Sequence, residues 1–481
     1  MNYPSIPVET KQFDNLTKQQ MLWKKRNRYY YSDIKKLYSF IIPPGSTILE
    51  LGCGDGDLLE SLRKNLNCNC VGIDSSETII NNAKRHFPHV EFRTEDITKI
   101  NFEEKFEFII LSDLVGVVSD VQIVFENMRK LCTSETRIII NFYNFLWEPL
   151  LNISRKLNLI SPTKVQNWLS ISDIKMLLEL TNFEVVKSGS RLLLPKYLPG
   201  VSELFNNYFA KFPFLKKLCL YNYIVARPLD IKQKNENEET VSVVIPARNE
   251  KGNIESAILR TPQMGMNTEL IFVEGNSTDG TFEEIKLLAK KYNFVSKNKC
   301  KIRYTRQEGH GKGDAVRKGF ELSRGDILMI LDADLTVAPE ELPKFYKAIT
   351  SGKGEFINGT RLVYPMETEA MRSLNLLGNK IFSLMFTWLL DQRFKDTLCG
   401  TKVISRKNYE KLKKSRLYFG NFDPFGDFDL IFGASKLNLK IVEIPIHYKE
   451  REYGTTNISR FKHGWLLIKM CIFAMKKIKF I

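Results

Sequence analysis

The chain has 481 residues, 43% hydrophobic and 26% charged, which excludes a disordered or fibrous protein and leaves room for two or three globular domains. Lys and Arg number 71 against 55 for Asp and Glu, so the net charge is +16, which fits an anionic partner (nucleic acid, an acidic membrane surface or a phosphate-bearing substrate) or a solvated basic surface. Eight cysteines and five histidines are scattered without a CxxC, which points to reduced thiols, a cytosolic setting and no zinc site.

In chain order, the polar start "MNYPSIPVETKQFDN" carries no apolar signal core. Strands and helices then alternate. "STILELG" reads as a strand, "DGDLLESLRKNLN" as a helix, "CVGID" as a strand and "SETIINNAKRHF" as a helix. "VEFRTED" and "FEFIILSD" are further strands, "VQIVFENMRKLC" has helical spacing, and "TRIIINFYN" is a strand. Repeated βα units predict a doubly wound parallel sheet. "FEVVKSG" and "LCLYNYIVARP" are two late strands that would close it antiparallel.

The first strand ends in Glu50, and Gly52, Gly54 and Gly56 follow at every second position. Glycines allow a sharp turn and close backbone approach to a ligand. Asp57 stands where the dinucleotide fingerprint has its third glycine, so the pattern is ExGxGxG and not GxGxxG. Asp74, at the tip of the second strand, suits a pair of ribose hydroxyls. Glu95 and Asp96 end the third strand within reach of an adenine amine, or Asp96 caps a turn. This set resembles the class I S-adenosylmethionine-dependent methyltransferases over about residues 25–228. The resemblance implies a bound S-adenosylmethionine and an acceptor beside Ser112, Asp113, Asn141, Tyr143 and Trp147, the last two doubling as core candidates. Asp113 is counted with the cofactor-binding residues and is the one candidate base. No Asn-Pro-Pro-Tyr motif speaks for base amines of nucleic acid, and no nucleic-acid recognition motif is found, so nucleic acid is not expected as a partner.

The polar stretch "DIKQKNENEET" (230–240) reads as a linker. A second series follows: "VSVVIPARNE", "LIFVEGNSTDGT", "GHGKGDAVRKGF" and "GDILMILDADLTVAPEEL". Asp332 and Asp334, spaced by one residue at a strand end, put two carboxylates where one can meet a ribose and the other a hard cation such as Mg2+ or Mn2+. Together these stretches resemble the family 2 glycosyltransferases of GT-A fold, most of all the dolichyl-phosphate mannose synthase type, over about residues 240–465. By that resemblance Pro246, Arg248, Glu250 and Asp279 line the nucleotide-sugar site, Lys312 and Arg317 lie near phosphates, and Asp332 and Asp334 hold nucleotide and metal. Such enzymes carry two adjacent acids where this chain has Glu274-Gly275, which leaves the base of the donor open; Glu274 is the substitute. Asp427 and Asp429 are the candidate bases, or helix-starting acids. A phosphate acceptor, already ionised, needs no base. Without a QxxRW signature, one sugar per event is expected. Arg451, Arg460 and Lys462 are expected to clamp a diphosphate or lipid phosphate, or to form a solvated face.

The end, "WLLIKMCIFAMKKIKFI", is too short and too charged to span a bilayer, which takes roughly 18 apolar residues or more. It fits an interfacial helix on an anionic leaflet, or a terminal helix packed on the preceding domain. The expected organisation is an extension (1–24), a class I methyltransferase-like domain (25–228), a linker (229–240), a GT-A domain (241–465) and a terminal amphipathic helix (466–481). Both domains are α/β and Rossmann-like. The expected activity is that of a bifunctional transferase, with a lipid phosphate or glycan as sugar acceptor; the alternative is a glycosyltransferase regulated by a S-adenosylmethionine-binding module. A cytoplasmic place is expected, on the inner face of the cytoplasmic membrane if the terminal helix is interfacial.

Overall fold

A computed structural model describes residues 24–100, 102, 104–157, 167–229, 238–294, 300–364, 373–415, 427–451, 453 and 460–480, with the backbone alone at 373–377, 415, 427 and 460–464. The chain divides between residues 230 and 231 into two compact units. Most of the expected extension and linker, and the side chains of Asp427, Arg460 and Lys462, lie outside the described residues.

In the first unit, β1 (Thr47–Leu51), β2 (Asn69–Asp74), β3 (Glu91–Thr94), β4 (Phe108–Ser112), β5 (Arg137–Tyr143), β6 (Phe183–Arg191) and β7 (Tyr221–Pro228) form one sheet. Its order is β3-β2-β1-β4-β5-β7-β6. The first five strands pair in parallel, and β7 runs antiparallel between β5 and β6, as the two late strands led one to expect. Because helices cover both faces, the inner strands are buried runs without polar alternation. Leu49, Leu51, Ile109 and Leu111 enter one core layer. Ile48, Ile110 and Ile139 enter the other, as the two-residue strand period requires.

The helix Arg28–Ile41 precedes β1 and buries Tyr30, Ile34, Leu37, Tyr38 and Ile41 on one face, a spacing that suits a single apolar stripe. Asp33 fixes it to the sheet. Its carboxylate accepts from Arg191 at 2.8 and 3.1 Å and from the Tyr221 hydroxyl at 2.6 Å. Both partners stand at the sheet edge where the parallel strands end, so the clamp sets Tyr30 and Tyr31 beside that edge.

In the second unit, β8 (Thr240–Ala247), β9 (Asn267–Glu274), β10 (Cys300–Arg306), β11 (Ile327–Ile330), β12 (Phe356–Thr360), β13 (Lys402–Ser405) and β14 (Ile441–Pro445) take the order β10-β9-β8-β11-β13-β12-β14. Strands β8 to β11 are parallel, and β13 is antiparallel to both of its neighbours. The order reverses at β8, so a crevice opens beyond the ends of β8 and β11, the place where open α/β sheets bind ligands.

The last helix, Arg460–Ala474, begins earlier than expected and passes into a π-helical turn, Met475–Lys479. Leu467, Met470, Cys471 and Ala474 are buried in a cluster with Phe386, Leu389 and Leu390. Lys479 is buried too, 2.8 Å from Asp391. One face of the terminal helix therefore packs on its own unit, and Trp465, Ile468 and Ile472 stay exposed. No helix among the described residues is long and apolar enough to cross a membrane.

Candidate functional site

Each unit carries a site at the carboxyl edge of its sheet. In the first, the chain leaves β1 through Gly52, Gly54 and Gly56, all left-handed at φ of +68°, +55° and +76°. A side chain at Gly52 would strike Leu114 at 2.6 Å and one at Gly56 would strike Phe92 at 2.4 Å, whereas Gly54 faces open space. Gly56 is the N-cap of the helix Asp57–Leu66, whose first amide, that of Asp57, donates to Asp55 Oδ1 at 3.3 Å.

This loop is one wall of a cavity of about 420 Å³. Glu50, Asp55, Asp57 and Asp113 bring acids to its lining, and Lys24, Lys35 and Tyr31 come from the chain before β1. Lys24 pairs with Asp55, and Lys35 with Asp57 at 2.7 Å. Glu50 is buried, and its Oε2 has no hydrogen-bond partner. Burial pushes its carboxyl well above the usual range, the charges of Asp55, Asp74 and Asp57 push the same way, and Lys24 pulls it down. A buried carboxylate oxygen without a partner, opening on a cavity rich in acids, calls for a cationic ligand group. The ammonium of S-adenosylmethionine fits that call.

Asp74 holds the loop itself. Its oxygens accept from the Gly54 amide at 3.1 Å and the Ser76 amide at 3.0 Å, and it keeps lone pairs for a ribose. Asp96 serves a turn instead. It accepts from the Thr98 amide and hydroxyl at 2.9 and 2.7 Å, which lower its carboxyl. Glu95 donates its amide to the Asp74 carbonyl at 3.1 Å. Asp74, Glu95 and Asp96 are not among the residues lining the cavity.

Asp113 follows β4 with a left-handed backbone at φ +55°, an uncommon state for a non-glycine residue that a functional site can hold. Tyr30 donates to both of its oxygens at 2.7 and 2.8 Å, and Asn141 donates to Oδ1 at 2.7 Å. Asn141 is oriented in turn by the Tyr38 hydroxyl at 2.7 Å. Burial pushes the Asp113 carboxyl up to about 6 against the hydrogen bond of Tyr30, the charge of Lys24 and the hydrogen bond of Asn141, which pull it down. Tyr143 stacks on Tyr30 at 5.5 Å and 16°. Ser112, Asp113, Asn141 and Tyr143 thus gather as expected, while Trp147 turns away and donates to the Leu218 carbonyl at 2.9 Å. Sequence reasoning passed over Lys24, Tyr30 and Tyr31; the Tyr29-Tyr30-Tyr31 run ahead of the first strand was the available signal.

In the second unit, Arg451 joins two strand ends. Its Nη1 donates to Glu250 at 2.9 Å and its Nη2 to Asp334 at 2.6 Å. Asp334 also accepts from the Thr336 amide and hydroxyl at 3.2 and 2.9 Å. Asp332 pairs with Lys312 at 2.6 Å. Burial would raise the Asp332 carboxyl, but Lys312, with Lys402 and Arg361, holds it below its ordinary value. Burial raises Glu250 against the pull of Arg451 and Asn253. A divalent ion held here would take Asp332 and Asp334, whose present partners are Lys312 and Arg451, and would need further oxygen ligands from a diphosphate. Among the described residues no group of three His, Cys, Asp or Glu side chains has a metal-holding arrangement.

Asp279 caps the helix Thr281–Phe294 and accepts from the Thr281 and Lys251 amides at 3.0 and 3.2 Å. Glu274 is buried and turned onto the Ser277 amide, with Arg306 at 3.2 Å. Pro246 and Arg248 lie at the end of β8, Arg248 exposed, and Arg317 is half-buried on the helix Lys312–Leu322. Asp429 is buried on the helix Asp427–Lys436. Sequence reasoning missed the approach of Gly400: a Cβ there would lie 2.0 Å from Asp332 Oδ2 and 2.5 Å from Lys312 Nζ.

The model of glycosyl transferase family 2 matches residues 242–413, and a methyltransferase domain model matches residues 22–188. The chain joins a methyltransferase domain to a family 2 glycosyltransferase domain. A low-salt glycan biosynthesis hexosyltransferase of Haloferax volcanii is 29% identical over 240 residues, which cover 48% of this chain and 53% of the relative. A dolichol-phosphate mannosyltransferase of Pyrococcus furiosus is 37% identical over 125 residues, 26% of this chain and 33% of the relative. The chain thus spans about half the length or less of these two curated relatives. A S-adenosylmethionine-dependent methyltransferase from Clostridium acetobutylicum covers 45% of this chain and is itself 98% covered, at 12% identity and a TM-score of 0.30.

Within the methyltransferase domain, Glu50→Gln is expected to act in two opposed ways. The fold raises the Glu50 carboxyl. The stability it contributes is therefore full below its unfolded value of about 4.3 and lost as pH rises through the folded value. The amide should raise the Tm of the ligand-free protein at neutral pH. With Glu50 as the proposed partner of the ammonium, it should also weaken binding of S-adenosylhomocysteine by about tenfold or more. Thermal melts and calorimetric titration check the pair, and an unchanged affinity would remove Glu50 from the ligand site.

Proposed function

We propose that the glycosyltransferase domain moves one sugar from a nucleotide-sugar to a lipid phosphate with inversion, and that the methyltransferase domain methylates an acceptor of the same glycan or glycolipid pathway. The functional domains are taken as residues 25–228 and 241–465. The observation that carries the first half is the Glu250–Arg451–Asp334 bridge beside the Lys312–Asp332 pair, at the crevice where the strand order reverses. Pro246, Arg248, Asp279 and Arg317 complete the donor site in this reading. The acceptor oxygen forms its bond to the anomeric carbon as the bond to the diphosphate breaks. Lys312 and Arg451 then face the charge left on the nucleoside diphosphate. A divalent cation, when held by Asp334 and Asp332, supplies further charge neutralisation. The acceptor phosphate is already ionised, so Asp427 or Asp429 is needed as a base only if the acceptor is a hydroxyl.

In the methyltransferase domain, Glu50 holds the ammonium of S-adenosylmethionine and the glycine loop bounds the ligand. S-adenosylmethionine supplies an electrophilic methyl. Asp113 takes the proton of the acceptor, and Tyr31 and Tyr143 wall the acceptor side. Alignment of the reacting atoms supplies most of the acceleration.

Dolichol-phosphate mannosyltransferases, and an undecaprenyl-phosphate 4-deoxy-4-formamido-L-arabinose transferase of Photorhabdus laumondii that is 27% identical over 232 residues, support a polyprenyl phosphate as the acceptor. The exposed Trp465, Ile468 and Ile472 of the last helix, with Lys469 beside Trp465, support a peripheral seat on a membrane. The testing experiment is nucleotide release from a panel of UDP-, GDP- and dTDP-sugars with Mg2+ or Mn2+, with and without polyprenyl phosphate. Release from one donor, stimulated by the lipid, is expected. Release indifferent to the lipid points to a soluble glycan, and no release from any donor ends the reading.

A further inference from the structure

A large apolar surface lies on the first unit, and neither proposed reaction uses it. Two segments build it. After β5 the chain runs through Phe145–Trp147 into the helix Glu148–Lys156, none of whose residues is buried. Leu146, Leu150, Ile153 and Leu157 are 50–63% exposed, and their spacing of four, three and four puts them on one helix face. Between β6 and β7, Leu204, Tyr208, Phe212, Phe214 and Leu218 are 48–85% exposed.

The two segments are stitched together. Asn144 Nδ2 donates to the carbonyls of Lys217 and Cys219 at 2.8 and 2.9 Å, and Trp147 to that of Leu218. Contiguous exposed apolar area of this kind marks an interaction site and not scattered surface residues. Its companions are basic: residues 145–157 and 193–219 hold six Lys or Arg against two acids; Lys211 is buried, and Lys156, Lys196 and Lys217 are exposed. Protein interfaces are depleted in lysine. Leucine and aromatic side chains ringed by lysine are what the headgroup region of an anionic bilayer takes up.

We infer that this edge of the first unit docks on an anionic lipid bilayer, with Leu146, Leu150, Ile153 and Phe214 in the boundary between headgroups and acyl chains. The first segment leaves the sheet at Tyr143 and the second rejoins it at Tyr221, and these two residues pair across β5 and β7. Tyr30 packs against both rings, at 5.5 and 5.6 Å. Docking therefore brings the Asp113 site to the bilayer, where a lipid-borne molecule could reach it. The docking does not depend on the chemistry of either site, and Phe480 packs on Tyr208 at the border of this face, with ring centroids 5.1 Å apart.

All eight native cysteines are buried, so a cysteine at an exposed position takes a thiol label selectively. Full-length Leu150→Cys and Phe214→Cys, each labelled with an environment-sensitive fluorophore, are mixed with phosphatidylcholine vesicles with and without phosphatidylglycerol. Emission at both positions should shift to the blue with the anionic vesicles. The double variant Leu150→Glu/Phe214→Glu should lower vesicle partition by at least about tenfold. Unchanged emission on protein that does bind vesicles would overturn the proposal, since another surface then does the binding. Emission already blue without vesicles would overturn it too, because protein then covers the face. So would a failure to bind the vesicles at all.

Discussion

Asp334→Asn is expected to cut nucleotide release from the sugar donor by about a thousandfold, with little change in Tm. Asparagine keeps the size of the side chain and can still accept from Thr336, so the turn after β11 survives. What it loses is the charge that meets Arg451 at 2.6 Å and that would meet a divalent cation. Removing one preorganised electrostatic contact to a developing charge typically costs 10²- to 10³-fold, and the proposed role of Asp334 puts it at the upper end. The measurement is nucleoside diphosphate release while Mg2+ is titrated. Wild type should rise with the cation, and the variant should stay flat. A variant that keeps a tenth of the rate and the same Mg2+ dependence would move the metal elsewhere.

The second large effect belongs to Asp113. Asp113→Asn is expected to lower methyl transfer by about 10²- to 10⁴-fold, the span of a lost general base, while S-adenosylhomocysteine still binds. In the proposed role the reacting form is the carboxylate, whose pKa burial pushes up to about 6. The wild-type rate should therefore climb through pH 6 and level off above it. Tyr30 pulls this value down by donating to both oxygens, so Tyr30→Phe should move the climb to higher pH. A residue that only supports the fold would not move the profile. Stability follows the same linkage. The stability contributed by the raised carboxyl is full below its unfolded value of about 3.9 and gone above 6, so Asp113→Asn should raise the Tm at pH 8 more than at pH 4. Unaltered methyl transfer in the variant would show an acceptor that needs no base. Binding of S-adenosylmethionine with no methylated product from any acceptor would favour a regulatory module.

Much of the architecture was legible because its signals are local. The Glu50-to-Gly56 turn needs three left-handed residues in a short window, and only glycine adopts that state readily. Asp332 and Asp334 sit one residue apart at the end of a buried strand, so their meeting in one crevice follows from strand order alone. The polar stretch before Thr240 likewise marks the seam between the units without any long-range information.

Other parts were decided by contacts that no window contains. Arg451 stands 117 residues from Asp334 and 201 from Glu250, and Gly400 touches Asp332 only because β13 pairs antiparallel with β11. Tyr30 reaches Asp113 across 83 residues because Asp33 binds the helix to β6 and β7. Asp96 and Glu274 carry the right charge in the right place along the chain, yet nearby amides occupy them. The sequence by itself determined the two α/β units, the glycine loop and the paired aspartates, since backbone preference and hydrophobic period act over a few residues. The tertiary structure alone decided which cation faces which carboxylate, which acid stays buried without a partner, and which apolar helix face is left in water, because those outcomes depend on sheet order and on which surfaces the packing covers.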